Sequence, residues 1–395
     1  IVANLGLLAY YKYADFFISN VMLVSGLGMN LLRIALPLGI SFFTFTQIAY
    51  LVDCYRSECE EYDLLNYSLF VTYFPHLIAG PILHHKDLMP QFDRLKNKVL
   101  NYRNIATGLY ILSIGLFKKV IIADTFAGWA NTGFDHTVTL TFFDAWITAL
   151  SYSLQLYFDF SGYIDMAIGA SLCFNINLPI NFFSPYKAES IQDFWRRWHI
   201  TLSRFLRDYV YIPLGGNQKG GVRTCLNLFL TFLLGGLWHG ASWTFVFWGV
   251  LHGLAMVVHR LWEKLNIKMN RAIAWFLTFN FVTMTWVFFR AKSWGDAGKV
   301  LRGMTGFSGI PLPRLLEAKL PFLHQLPVQF IDIEDFSKKT LALILGMALV
   351  LFAKNSVELQ KEFKPSWKNA AFCLVLLAIG IISLTKVSEF IYFNF

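Results

Sequence analysis

From Cys225 to Trp262 the chain stays apolar for nearly forty residues, with no charged side chain before Arg260. A helix crosses a bilayer with about 20 residues, so this run is too long for one crossing. Gly235, Gly236 and Gly240 interrupt it near its middle. The same conflict recurs elsewhere. Phe142–Phe174 is one long run carrying Asp144, Asp159 and Asp165, Val21–Val52 is divided by Pro37, and Leu64–Leu83 is divided by Pro75 and by Gly80-Pro81. Non-helical backbone at membrane depth survives only where protein or a water-filled cavity satisfies it. These breaks therefore predict re-entrant or half-helices around an internal cavity. With Ile1–Tyr11, Ile105–Ala123, Ala272–Phe289, Thr340–Ala353 and Ala370–Thr385, the pattern predicts about nine to eleven membrane segments.

Composition agrees. The 395 residues are 56% hydrophobic and 15% charged, against about 25% charged in soluble domains. That excludes a water-soluble globule, and equally a disordered chain. The net charge of +9 reads as the Lys/Arg excess of cytoplasmic loops, not as a nucleic-acid surface. The five cysteines include no C-x-x-C pair, and they read as reduced, small hydrophobes. Opening on Ile1 within an apolar stretch, the chain is expected to be preceded by a further N-terminal segment. No internal repeat is visible, and Trp294–Lys339, with Pro311, Pro313, Pro321 and Pro327, reads as an irregular connector with short helices.

The longest polar connector, Pro179–Arg223, holds an amphipathic pattern. Placed on a helix, Trp195, Trp198, Leu202, Phe205, Leu206 and Tyr209 fall on one side, and Asp193, Arg196, Arg197, Ser203, Arg204, Arg207 and Asp208 on the other. Residues 190–210 are thus expected to form one interfacial helix on the cytoplasmic side. Ser190 or Glu189 caps it, and Pro213 with Gly215-Gly216 ends it. His199 sits on the apolar side, where two readings stand: a space-filling ring with one hydrogen bond, or a polar group aimed into the cavity. Gly215–Gly221, containing Asn217 and Lys219, reads mainly as a flexible turn, and secondarily as a backbone cradle for a phosphate-bearing donor.

His239, in Gly235-Gly236-Leu237-Trp238-His239-Gly240, stands near the middle of the longest apolar run. An ionisable residue at that depth is a functional candidate by default, and burial favours the neutral imidazole that a general base requires. The competing reading is a histidine hydrogen-bonded between packed helices, the role assigned to His252. His84-His85 with Asp87 matches no standard metal-ligand spacing and reads as an exposed basic connector, so no metal is expected. Asp159 and Asp165 are buried carboxylates that need partners, and arginines of the amphipathic helix are the expected ones. No G-x-S-x-G elbow, Walker A motif, G-x-G-x-x-G fingerprint or H-E-x-x-H helix occurs.

Taken together, several stretches resemble the membrane-bound O-acyltransferases, and most closely their bacterial alginate O-acetyltransferase branch. They are Pro37–Phe45, Leu77–Ile82, Phe158–Tyr163, Phe194–His199, Arg207-Asp208-Tyr209, Ile212–Asn217, Gly235–Gly240 and the C-terminal Ser388–Phe395. The resemblance implies an all-α polytopic fold: a ring of tilted transmembrane helices with re-entrant elements, around a thinned centre and a tunnel, in one domain spanning residues 1–395. It implies His239 and His199 as the catalytic histidines. Trp195, Arg196, Arg197, Trp198, Arg204, Arg207, Asn217, Lys219 and Trp238 would then serve the donor, with Asp159 and Asp165 as structural intramembrane groups.

The activity implied is transfer of an acetyl group from a cytoplasmic thioester, acetyl-CoA or another acyl thioester, toward hydroxyls of an exported polysaccharide. Alginate comes first as acceptor. No cofactor would be bound. The protein would be multi-pass in the bacterial inner membrane, with an extracytoplasmic acetyl-handling partner and no nucleic acid. Alternatives are acylation of peptidoglycan, cellulose or, as D-alanylation, teichoic acid; a transporter or flippase; and a docking subunit whose histidines are merely packed.

Overall fold

The structure, a computed structural model, describes residues 1–59, 63–313 and 330–384. The C-terminal Ser388–Phe395 motif and Pro321 and Pro327 lie outside them. The described chain is almost entirely helical. The only strands among these residues are the two-residue pair Leu312–Pro313 and Phe330–Ile331.

The N-terminal segment comprises α1 (Val2–Leu8), a π-helical stretch (Ala9–Tyr13) and α2 (Ala14–Ser25). An extended passage then leads through Pro37 to α3 (Ile40–Tyr55). α4 (Leu64–Thr72) and α5 (His85–Asp93) follow, joined by a tight turn at residues 74–80. α6 (Tyr102–Phe117) continues through a π-helical stretch (Lys118–Ala123) into α7 (Asp124–Asn131), and α8 (Phe142–Cys173) is the long central helix. The short α9 (Ile191–Arg197) and α10 (Ile200–Leu206) precede three long helices: α11 (Gly220–His239), α12 (Trp243–Lys264) and α13 (Arg271–Arg290). α14 (Trp294–Met304), α15 (Ile333–Phe352), α16 (Ser356–Glu362) and α17 (Trp367–Ser383) complete the order.

Four stretches among the described residues are long and apolar enough to cross a membrane: 102–136, α11, α12 and α13. A fifth counts if α15 and α16, bent by 54°, form one span. Nine to eleven segments were expected; this criterion of length and apolarity passes over the shorter apolar helix α17 (Trp367–Ser383) and the runs that are broken. Val21–Val52 and Leu64–Leu83 break into short helices and extended chain. α8 instead packs along α6, α7, α13, α14 and α15, and nearly all its length is covered by protein. Its apolar residues serve that packing.

Two helix pairs set the framework, and in both glycine allows backbone contact. α6 and α8 meet where a Cβ on Gly115 would lie 2.6 Å from the Gly162 carbonyl. α11 and α12 form an antiparallel hairpin whose tip is Gly240-Ala241-Ser242. Gly240 leaves the helical conformation (φ −166°, ψ 154°), and the Ser242 side chain accepts from Phe245 N to start α12. Gly235 and Gly236 lie inside α11, so the break falls only at Gly240. A Cβ on Gly236 would stand 2.5 Å from the Phe245 carbonyl oxygen and 2.8 Å from Gly249 Cα.

Gly236→Leu should therefore splay the hairpin and cost about 1–3 kcal/mol or more, as overpacked cores do. Gly298→Ala in α14, where a Cβ meets nothing within 4 Å, should be neutral or gain up to about 1 kcal/mol from helix propensity. Thermal unfolding of the detergent-solubilised protein reads both. Equal melting temperatures for the two variants would contradict the close approach.

Candidate active site

The hairpin places His239 at the last residue of α11, not at the centre of a long helix. Its burial comes from what covers it. The ring packs edge-on against Trp248 of α12 and Phe289 of α13, with centroids 5.2 and 5.0 Å away, and against Trp238 at 4.9 Å. His239 is 4% exposed. A cavity of about 880 Å³ reaches this end of the hairpin, lined by Gly240, Ser242, Phe289, Lys12, Gln155 and Arg290 among others. It thus abuts both the residue after His239 and one of the rings packed on it.

The N-terminal segment closes this end, a contribution that no sequence signal marked. The last carbonyls of a helix have no partner within it. Here Lys12 Nζ donates to the Trp238 carbonyl at 2.6 Å and to Ser41 Oγ at 3.1 Å, while Tyr13 Oη donates to the Leu237 carbonyl at 2.7 Å. A cation at a helix C-terminus also complements the helix dipole. The π-helical turn around Lys12 and Tyr13 was invisible in the apolar pattern, as such turns generally are.

The single helix expected over residues 190–210 is two helices and a π-helical turn (Arg207–Tyr211). Ser190 caps α9, its side chain accepting from Asp193 N. The chain breaks at His199, which adopts a left-handed conformation (φ 43°). The apolar side is covered by protein. Phe205 stacks on Phe45 at 4.0 Å and Phe45 on Trp238 at 4.9 Å, and Trp198 lies against Trp286 and Phe182. The break swings the His199 ring inward, fully buried, edge-on to Phe160 at 4.9 Å and to Trp238 at 6.4 Å. The two candidate histidines thus both pack against one indole, that of Trp238.

The third intramembrane histidine is structurally occupied. Trp195 Nε1 donates to His252 Nδ1 at 3.2 Å, so the other nitrogen of His252 donates to Thr285 Oγ1 at 3.0 Å. This is the helix contact expected of His252, and it binds Trp195 into the core.

The basic residues do not converge on one point. Arg197 pairs with Asp193, Arg204 with Asp87, and Arg207 with its neighbour Asp208. Arg196 is exposed. In the loop, Asn217 accepts from Tyr211 Oη and Lys219 is exposed, its stem lying against Gly215. The Gly216 carbonyl accepts from buried Asn227 of α11, which ties the loop to that helix.

Three expectations are corrected. The partners of Asp159 and Asp165 are lysines of the π-helical stretch after α6, not arginines. Lys119 lies 2.6 Å from Asp159 and 2.9 Å from Asp124, and Lys118 lies 2.7 Å from Asp165. Two consecutive lysines of the π-helical stretch thus reach α8. Breaking such a buried pair costs about 3–5 kcal/mol.

Second, His84 and His85 are buried rather than exposed. His85 Nε2 is 3.1 Å from Asp53 Oδ2, and Tyr209 Oη donates to Asp53 Oδ1 at 2.6 Å and lies 3.3 Å from His84 Nδ1. No cluster of metal-ligating residues occurs among the described residues. Third, Cys54 and Cys59 are disulfide-bonded. Ser57, left-handed at φ 58°, turns the chain back after α3, and Glu58 N donates to the Asp53 carbonyl, bringing the two Cα atoms to 4.8 Å.

Comparison with known proteins adds an independent finding. The family model described as "MBOAT, membrane-bound O-acyltransferase family" matches residues 31–293. A peptidoglycan O-acetyltransferase of Helicobacter pylori is 48% identical, over 100% of this chain and 81% of its own length. A probable alginate O-acetylase of Pseudomonas putida is 38% identical, over 99% and 82%. A teichoic acid D-alanyltransferase of Bacillus subtilis is 30% identical, over 65% and 69%.

The His84–His85 cluster predicts a pH dependence of stability. Burial holds both imidazoles below their ordinary value. Arg204 pushes His84, and Lys86 pushes His85, the same way; Asp53 and Asp87 oppose this at both, and Asp208 at His84. A depressed folded-state value means that the unfolded chain binds protons first. Stability is then full above about pH 6.5 and falls as pH drops below it. Melting temperatures from about pH 7.5 to about pH 5 should show this decline, and replacing both histidines by glutamine should make it shallower. An unchanged slope in that variant would rule out the cluster as the source.

Proposed function

The chain belongs to the membrane-bound O-acyltransferase family, and from that premise we propose that this multi-pass O-acyltransferase moves an acetyl group from a thioester to hydroxyls of an exported envelope glycan. The observation that carries the reading is the placing of His239 and His199 against the same indole, Trp238, with a cavity reaching the residue after His239. Family membership replaces the transporter and docking-subunit readings.

In this proposal the donor, acetyl-CoA or another acyl thioester, approaches from the cytoplasm on the side of α10 and the Gly215–Gly221 loop. Arg196, on α9, and Lys219 are exposed there and offer charge to its phosphates. α11 has 20 residues and so spans about 30 Å between that loop and His239. The acceptor enters through the cavity at the other end of α11. His239 takes the hydroxyl proton as the oxygen attacks the thioester carbonyl. The carbon–sulfur bond then breaks and the thiolate leaves with a proton. The protein would act in the inner membrane, with an extracytoplasmic partner handling the acetyl group or the polymer.

Peptidoglycan is placed first as acceptor, because the Helicobacter pylori relative matches across the whole chain at the higher identity. Alginate, the acceptor expected from sequence, is the second reading, favoured by the Pseudomonas relative. O-acetyl analysis of muropeptides and exopolysaccharide from a deletion strain separates them. Loss from muropeptides supports the first reading, and loss confined to exopolysaccharide selects the second. General-base assistance is worth about 10²–10⁴-fold, so His239→Ala, present in membranes at the normal level, should lose acetyl transfer by that factor. Near-normal transfer would remove His239 from the reaction.

A further inference from the structure

We infer that Asn181 is a positioning residue that keeps the proton of His199 on Nδ1, so that Nε2 meets the reactants as an acceptor. The inference rests on the proposed participation of His199 in acyl transfer. It concerns a residue in the extended connection after α8, which no motif singled out.

The assignment follows from donors whose direction is fixed. Asn181 is 1% exposed. Its Oδ1 lies 3.1 Å from the backbone nitrogen of Thr201 and 2.9 Å from Thr201 Oγ1. A backbone N–H can only donate, so the oxygen of the amide, not its NH₂, faces Thr201. Thr201 Oγ1 itself accepts from Ile82 N at 3.0 Å, which leaves its own hydrogen for Asn181. The same Oδ1 is 3.2 Å from His199 Nδ1. An oxygen that accepts from Thr201 can only accept from the imidazole as well, so Nδ1 carries the hydrogen. In a neutral ring Nε2 then holds the lone pair.

Asn181 also holds the backbone at the break. Its own carbonyl accepts from Ile200 N at 3.0 Å, immediately after the left-handed His199. One residue thus grips the chain on the C-terminal side of the break and the ring at the break. Phe160 and Trp238, edge-on to the imidazole, restrict its rotation about χ2. This separates two roles otherwise open to His199. Donating to the thioester carbonyl would need a hydrogen on Nε2; the tautomer assigned here accepts a hydrogen bond or a proton there instead.

The test is ¹⁵N solid-state NMR of histidine-labelled protein in lipid bilayers, with the His199 signals identified by difference against His199→Ala. The wild type should show a protonated Nδ1 and a bare Nε2, and the reverse pattern would overturn the inference. Asn181→Leu should shift the ring toward the Nε2–H form and lower acetyl transfer roughly 10- to 100-fold, the usual scale for losing a residue that orients a histidine. Asn181→Asp keeps the acceptor, and so should keep Nδ1–H and most of the turnover. Its added negative charge should move the acid limb of the kcat/KM profile to higher pH, which a merely structural role would not do. Normal transfer by Asn181→Leu, with His199→Ala inactive, would sink the positioning role alone. Normal transfer by His199→Ala would instead overturn the participation of His199, whatever the spectrum shows.

Discussion

The carbonyl end of α11 is the constraint on which the site depends. A helix that stops within an apolar protein leaves its last carbonyls without partners, and at membrane depth water is not there to supply them. Lys12 and Tyr13 supply them instead, on Trp238 and Leu237. Once those groups are satisfied, the chain can turn at Gly240, and His239 can stand at a helix end beside a cavity. Lys12 serves twice, since it also lines that cavity. The lining of the cavity and the termination of the helix are one arrangement.

Three buried histidines within the same aromatic core are sorted by their partners. His252 sits between an indole that can only donate and a threonine hydroxyl, and both of its nitrogens are engaged in packing. His199 is held at one nitrogen by an amide oxygen. His239 is framed by ring edges. Composition treats the three alike, and their surroundings in the fold differ.

The architecture was largely legible in the sequence because apolar runs report burial directly. The all-α membrane class, the break at Gly240, the ends of α13 and the burial of His239 followed from residue type and position. What failed did so for identifiable reasons. Hydropathy cannot tell a helix covered by protein from one covered by lipid, so the burial of α8 was not legible in it. A fixed helical period cannot foresee π turns, and so hid the Lys118–Asp165 and Lys119–Asp159 pairs and the reach of Lys12. The break at His199 was masked because the flanking residues keep a helical pattern. The Cys54–Cys59 bridge and the buried His84–His85 pair arise from a reversal of chain direction that no local spacing encodes.

The hydrogen bond from Lys12 to the Trp238 carbonyl joins residues 226 positions apart. A ribosome delivers the lysine first and the carbonyl much later. The lysine therefore cannot form this bond until α3 to α10 and the hairpin have been made. The seat for its ammonium exists only once the hairpin has emerged and turned. The fastening of this hairpin end is in this sense a closing event, in which a segment made earlier locks one made later.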